Sequence, residues 1–423
     1  MASAESASLP PRLAAGRAVG PGRSPACRQP ASSTAAEHMT KPVAPGRRRA
    51  DGPEEGRERD PMRITELTSE AFTVPLDRPW GPGVDQQHLI VTTLRTEDGS
   101  TGTGFSWTPL VGAHAVLAML EHDLPRLIVG GQTAPAGVWW DRLWAGLHEG
   151  GSGGITGMAL AAVDIALWDL RAKAAGLPLT DFIGRRRETV GIYGSGVNLF
   201  YELDELADQV RRFVAAGHRA VKIKVGSPEL ARDLERVAAV REILGPDRLL
   251  MIDANQRWDH PTAVRAIRAL SAYDPYWIEE PLLADELPGL ARLRAAVDVP
   301  IAVGENLRTV YQFRDALTAG AVDFVQPNAV RVGGITPFLR IAELAATFGV
   351  PTAPHLLPEL SAQLAMCVGS VSMVEDIDRA SFGALGALAE PSGVRLEPPS
   401  AHTATAPGHG LVFATEKLTP LVG

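Results

Sequence analysis

Residues 249–253 read Leu249-Leu250-Met251-Ile252-Asp253, four apolar residues closed by a carboxylate, and this pattern decides how the chain is read. A short apolar run without alternation marks a strand covered on both faces, as in a parallel sheet. Related runs lie on either side of it. Val221-Lys222-Ile223-Lys224-Val225 precedes it, Trp277-Ile278 ends in Glu279, and Ile301-Ala302-Val303 ends, after Gly304, in Glu305. Phe324-Val325 then leads to Gln326 and Asn328, Val350 leads to His355, and residues 371–374 end in Glu375. From Lys224 to Glu375 these polar markers follow one another at intervals of 29, 26, 26, 23, 27 and 20 residues. One strand with its covering helix takes a length of this order. Residues 185–390 are therefore expected to form an α/β barrel with every one of these polar residues at its C-terminal rim, where such barrels carry their chemistry.

Upstream, the pattern changes. Alternating β-rich segments at residues 63–74 and 88–96, separated by Pro79-Trp80-Gly81-Pro82-Gly83, predict an antiparallel sheet. Helical periods follow at residues 111–127, 139–147 and 157–175, so residues 62–184 read as an α+β domain. Residues 391–423 are assigned to a C-terminal segment that returns to that domain. Residues 1–61 are rich in Ala, Pro, Gly, Ser and Arg and carry no hydrophobic period. They are expected to be a disordered tail, with Arg47-Arg48-Arg49 as a solvated basic cluster and Met62 as the effective start.

The 423 residues have an ordinary globular composition, and a net charge of −8 argues against a nucleic-acid partner. No apolar stretch is long enough for a membrane span, and a cytoplasmic location is expected. The two cysteines, Cys27 and Cys367, stand in unrelated contexts, which excludes a disulfide framework or a thiolate zinc site.

Asp253, Glu279 and Glu305 bring three carboxylates from successive strand ends to one rim. Alone, each reads as a helix cap or a loop acid. Together they would repel one another without a cation, and hard oxygen ligands suit Mg2+. Lys222 and Lys224 alternate with aliphatic residues, so both point into the barrel. Lys224, nearer the rim, is expected to be a base, with Lys222 as its electrostatic neighbour and a contact for a substrate carboxylate. His355 lies about four β/α units away, facing the substrate from the opposite side. Glu375 is expected to donate a hydrogen bond to the substrate carboxylate if burial raises its pKa; a surface loop acid, with Asp376 and Asp378 following it, is the equal alternative.

With these residues in place, the chain from Met62 onward resembles the enolase superfamily, in particular its mandelate racemase subgroup. The resemblance rests on Lys222-Ile223-Lys224, Asp253-Ala254-Asn255, Trp277-Ile278-Glu279-Glu280-Pro281, Gly304-Glu305-Asn306, Arg331-Val332-Gly333-Gly334-Ile335 and Ala353-Pro354-His355, with Asp164-Ile165-Ala166-Leu167-Trp168-Asp169 before the barrel. It implies an N-terminal α+β capping domain on a modified (β/α)7β TIM-like barrel. It also implies that Asp253, Glu279 and Glu305 hold magnesium and that Lys224 or His355 removes the proton α to a carboxylate. Gly104-Phe105-Ser106 and Asp253-Ala254-Asn255-Gln256 look most like acid-sugar dehydratases of the talarate/galactarate type.

The family's residue paired with the histidine is an aspartate, and here the matching position is Asn328. An amide oxygen can accept from an imidazole N–H but cannot balance an imidazolium charge. Substrate contacts are assigned to Asn255 and to the closing loops, residues 75–87 and 104–112, which carry Trp80, Phe105 and Trp107; ordinary capping-domain core explains these aromatics about as well. The expected reaction is loss of water from an aldonate or aldarate, giving a 2-keto-3-deoxy acid. Racemisation of a 2-hydroxy or amino acid derivative and a non-catalytic member of the family are the alternatives. The expected partner is a small carboxylate substrate, with no nucleic acid or membrane, and the chain is expected to form a homo-oligomer.

Overall fold

The computed structural model describes residues 62–421, so the tail expected over residues 1–61 lies outside the described residues. Strands β1 (Ile64–Pro75), β2 (Gln86–Thr96) and β3 (Thr101–Thr108) form an antiparallel sheet whose edge is extended near the C-terminus, where Thr419 and Pro420 pair with Thr73 and Phe72. Helices α1 (Ala113–Ala118), α2 (Leu124–Ile128), α3 (Ala136–Leu147), α4 (Ile155–Ala174) and α5 (Leu179–Ile183) follow. The single helix expected at 111–127 is instead interrupted by a π turn at Met119–Asp123. Pro125, which has no N–H to donate and crowds the carbonyl four residues back, explains the break.

Helix α4 is buried nearly all round, because one side meets the sheet and the other meets the barrel. On the sheet side, Gly102 and Gly104 of β3 let the backbones touch: a Cβ on Gly104 would lie 1.9 Å from the Ala162 carbonyl oxygen. On the barrel side, Asp164 accepts from the Thr336 N–H (2.9 Å) and Oγ1 (2.6 Å), and Trp168 Nε1 donates to the same hydroxyl (2.9 Å).

The barrel strands are β4 (Thr189–Ser195), β5 (Ala220–Lys224), β6 (Leu249–Asp253), β7 (Pro275–Glu279), β8 (Ile301–Val303), β9 (Phe324–Val325) and β10 (Val374–Ile377). β4 to β9 pair in parallel in sequence order, and β10 pairs with β4. Between β9 and β10 the ladder thins to single bridges, Val325 to Thr352 and Thr352 to Val371, so no regular strand precedes His355. Glu375 lies inside β10 and not just beyond a strand end. Helices cover the outside and bury Val221, Ile223, Ile252, Ile278 and Val303. The inside is filled by Tyr193, Ala220, Met251, Trp277, Ala302, Phe324 and Ala353, a plug across the lumen. Two residues further along each strand, on the same inward face, stand Ser195, Lys222, Asp253, Glu279 and His355. The molecule is an α+β capping domain joined to a modified (β/α)7β barrel, and among the described residues no helix is long and apolar enough to cross a membrane.

The close approach at Gly104 predicts that Gly104→Ala costs on the order of 3 kcal/mol of stability, because backbone and not a flexible side chain blocks the new methyl group. Urea unfolding midpoints measure it; a variant as stable as the parent would mean that β3 and α4 can move apart freely.

Candidate active site

Asp253 and Glu279 end β6 and β7, and Glu305 follows β8. Gly304 makes the last placement possible: its φ is 156°, and a Cβ there would lie 2.5 Å from the Gln326 nitrogen. One oxygen from each acid lies within 4.8 Å of the other two, and all three residues are buried. Burial and the Asp253 charge push the Glu279 carboxyl up to about 8, although Lys222 pulls the other way. A crowded, oxygen-only donor set that raises an acid to this degree fits a hard divalent cation, which would relieve the repulsion.

Protein cations partly balance the acids. Lys222 Nζ donates to both Glu279 oxygens (2.9 Å each), lies 2.8 Å from Glu375 Oε1, and sits over the Tyr193 ring at 5.5 Å. Burial opposes its charge, but Glu279 and Glu375 hold its pKa well above the ordinary lysine value. It is fully buried, with its donors committed to protein, so it does not offer the substrate contact expected of it. Lys224 is nearer the surface, at 8 % exposure, and its Nζ lies 2.5 Å from Asp253 Oδ2.

Glu375 departs from expectation. Burial alone would raise its pKa, but nearby lysine charge, Lys222 foremost and then Lys224, overrides burial and brings it down to about 2. Its oxygens accept from Ser195 Oγ (2.6 Å) and the Leu356 N–H (2.9 Å). It is an ionised acceptor with its lone pairs in use, not a hydrogen-bond donor to substrate.

His355 Nε2 faces Glu305 Oε2 at 2.8 Å, at the opposite end of the carboxylate row from Lys224. Asn328 approaches the other ring nitrogen, but through its amide nitrogen. Asn328 Oδ1 accepts from the Val330 and Arg331 N–H groups (3.0 Å each), which turns Nδ2 toward His355 Nδ1 at 3.2 Å. Two backbone donors fix that orientation, so Nδ1 is an acceptor and the ring proton sits on Nε2. The amide oxygen expected to receive the imidazole N–H is therefore already occupied.

The remaining assigned residues separate. Asn255, at φ 44°, donates its N–H (2.8 Å) and Nδ2 (3.3 Å) to Asp253 and thus orients that acid. Trp107 donates from Nε1 to Gln87 Oε1 and lies 6.2 Å from Trp80, and the two rings face Leu356 and Leu357 across a narrow cleft. Phe105 is fully buried against Phe382 (5.2 Å) and Phe413 (5.5 Å), in the core behind that cleft. Several site residues had no role from sequence. Gln326 Nε2 donates to Glu279 (2.7 Å), Arg331 Nη1 donates to the Glu305 carbonyl (2.9 Å), and Asn306 Nδ2 donates to Glu280 (2.7 Å). Each stands in or beside one of the motifs quoted above, and that adjacency was the available signal.

Residues 205–417 match the family described as Enolase C-terminal domain-like, and residues 68–184 match the N-terminal domain of mandelate racemase / muconate lactonizing enzyme. The chain is 36 % identical over 360 residues to the 3,6-anhydro-alpha-L-galactonate cycloisomerase of Streptomyces coelicolor, covering 84 % of this chain and 98 % of that protein. It is 41 % identical over 277 residues to the L-talarate/galactarate dehydratase of Salmonella typhimurium, covering 65 % and 69 %. The crystal structure of L-talarate dehydratase from Polaromonas sp. JS666, complexed with Mg and L-glucarate, superposes with a TM-score of 0.76 at 34 % identity, covering 84 % of this chain and 96 % of that one.

The depressed pKa of Glu375 carries a sign. Its pairing stabilises the fold fully above the ordinary value of 4.5 and is lost as pH falls toward about 2. Glu375→Gln should therefore cost ~3 kcal/mol near neutral pH, and the gap to the parent should narrow steadily below about 4.5. Urea midpoints between pH 6 and 3 check this; a gap constant across that range would contradict the ionised state.

Proposed function

Because the chain belongs to the mandelate racemase / muconate lactonizing enzyme family of the enolase superfamily, we propose that it removes the α-proton of a sugar-derived carboxylic acid and then expels the β-oxygen. The observation that carries this reading is the arrangement of Lys224 and His355 at opposite ends of the buried Asp253, Glu279 and Glu305 row. Relatives that act on acid sugars, and one crystallised with Mg and L-glucarate, support it.

Asp253, Glu279 and Glu305 would hold a magnesium ion, which when bound would supply positive charge to the substrate carboxylate and offset the Asp253 charge that raises the Lys224 pKa against burial. Lys224 Nζ then accepts the α-proton. The C–H electron pair moves onto the carboxylate as an enediolate and returns to form the C2–C3 double bond as the C3–O bond breaks, a departing hydroxide leaving as water with the proton that Lys224 took up. The enol that results becomes a 2-keto-3-deoxy acid on taking up a proton at C3. Trp80 and Trp107 close over the reacting carbons and exclude water. Lys222 and Glu375 keep the lumen neutral beneath them.

Asn328 favours a second reading of the leaving group. His355 holds its proton on Nε2 and can donate a hydrogen bond from there, but imidazolium would set an Nδ1–H against the Asn328 amide hydrogens. A hydroxide leaving group needs a full proton, whereas the carboxylate of an opening lactone needs none. Ring-opening isomerisation of a sugar lactone thus fits this histidine at least as well as dehydration does, and a D-galactarolactone cycloisomerase, from Agrobacterium fabrum, stands among the relatives.

In D2O with magnesium, a panel of aldonates, aldarates and their lactones should yield a 2-keto acid from at least one member, and Lys224→Ala should lower the rate by ~1000-fold or more. Undiminished α-proton exchange in that variant would remove Lys224 as the base. Asn328→Asp should raise turnover of open acids relative to lactones by about tenfold, since a carboxylate behind His355 stabilises the imidazolium. An unchanged ratio would eliminate the leaving-group argument.

A further inference from the structure

Lys224 ends β5, and the ladder between β4 and β5 stops short of it. The last bond of that ladder runs from the Gly196 N–H to the Lys222 carbonyl (3.2 Å), after which the chain turns away into the loop that leads to α6 (Leu203–Ala216). The next donor on this side of β5 is the Lys224 N–H, and no strand is left to receive it. A buried N–H without an acceptor is unfavourable, and here a side chain takes the place of the missing strand. Asn198 Oδ1, in the loop after β4, accepts from the Lys224 N–H at 2.9 Å, and Asn198 is fully buried.

An asparagine amide offers a donor and an acceptor of nearly the same shape, so something must decide which of them faces Lys224. The decision comes from further out. Asn198 Nδ2 donates to Gln209 Oε1 (2.8 Å), and Gln209 Nε2 donates to Asp378 Oδ2 (2.7 Å). Asp378 also accepts from Arg212 Nη2 (3.0 Å), and its own N–H is tied to the Ser195 carbonyl (2.9 Å). A carboxylate paired with a guanidinium accepts and does not donate. Gln209 must therefore present its nitrogen to Asp378 and its oxygen to Asn198, which leaves the Asn198 oxygen for Lys224. The loop itself is held by Arg236 Nη2, from α7 (Leu230–Leu244), and by the Tyr201 N–H, both of which donate to the Asn198 carbonyl (2.7 and 3.1 Å). Room for the paired amides depends on Gly196, where a Cβ would collide with both Gln209 Oε1 and Asn198 Nδ2.

We infer that Asp378, Gln209 and Asn198 form a directional hydrogen-bond chain, and that its last member, Asn198, is a positioning residue for Lys224. This rests on the reading of Lys224 as the base and names what holds that base in place. The reacting nitrogen stands at the end of a flexible four-carbon stem, so a small tilt of the strand end moves it out of line with the α-proton. A displacement of about 1 Å can cost ~100-fold in rate. On one side the strand end is fixed by β6, where Lys224 is in register with Asp253. Asn198 supplies the attachment on the other side. Because the chain ends on the Lys224 backbone, it acts on the placement of the base and not on substrate affinity.

The test uses magnesium-loaded protein and the sugar acid or lactone of the panel above that the parent turns over, with galactarate tried first. Asn198→Ala should lower kcat and the single-turnover rate by ~10- to 100-fold and change KM by less than about threefold. Asn198→Asp still offers Lys224 an acceptor and should recover at least ~5-fold of that loss. Gln209→Leu frees the Asn198 amide to turn and should slow the single-turnover rate as well; combined with Asn198→Ala, it should add little, since the two act through one bond. An Asn198→Ala enzyme as fast as the parent, or an Asn198→Asp enzyme as slow as Asn198→Ala, overturns the inference. Should Asn198→Ala fail to fold, Gln209→Leu decides, and a single-turnover rate equal to the parent's overturns the inference. Absence of α-proton exchange by the parent with every member of the panel instead overturns the function on which it rests, and the inference with it.

Discussion

Lys222 lies where no water reaches it, with Glu279 and Glu375 within 2.9 Å, and this enclosed ion cluster is the constraint to which the surrounding structure conforms. A buried ion without a partner costs several kcal/mol, so neither the lysine nor the acids can be present alone. Below, Trp277, Phe324 and Tyr193 fill the lumen and keep solvent from entering from the N-terminal end. Above, the capping domain closes the rim. The low dielectric that makes the cluster expensive also makes each of its charges effective on a substrate, so the same packing serves stability and chemistry.

The capping domain can only do this if it is held in register with the barrel, and α4 is the part that holds it. Its burial on both sides is possible because glycine stands at the two β3 positions where backbone meets backbone, and because Asp164 finds its partners on Thr336 across the domain boundary. A second joint lies at the opposite edge, where Arg78 grips Glu205 and Tyr201. Between these two attachments the loops bearing Trp80 and Trp107 stand over the strand ends.

Where a side chain's direction follows from strand alternation, it could be read in advance. The inward set Lys222, Lys224, Asp253 and Glu279 needs only a two-residue period and a barrel, and Glu305 needs in addition that Gly304 let the chain pass close to Gln326. What could not be read depended on partners distant in sequence. Phe105 belongs to the core because Phe382 and Phe413 pack around it. Glu375 is ionised because Lys222 is 2.8 Å away, where its charge outweighs the effect of burial, and no local pattern shows that lysine's approach. The amide of Asn328 is turned by the backbone of Val330 and Arg331, which has no counterpart in residue identity.

That last detail bears on which reaction the site favours. Lys224 and His355 flank the same carboxylate row, but they are not equivalent. Racemisation by two bases requires each to take up a proton in turn, and His355 carries one on Nε2, directed toward Glu305, while Asn328 fills its other nitrogen. Lys224 faces no such obstruction once Asp253 is otherwise engaged. In the proposed reaction proton traffic is therefore one-sided: the α-proton would leave toward Lys224, and the opposite side would offer a hydrogen bond in return, not a base. An enediolate formed under those conditions is better placed to lose a β-substituent than to be reprotonated on its other face, and this asymmetry favours elimination over inversion.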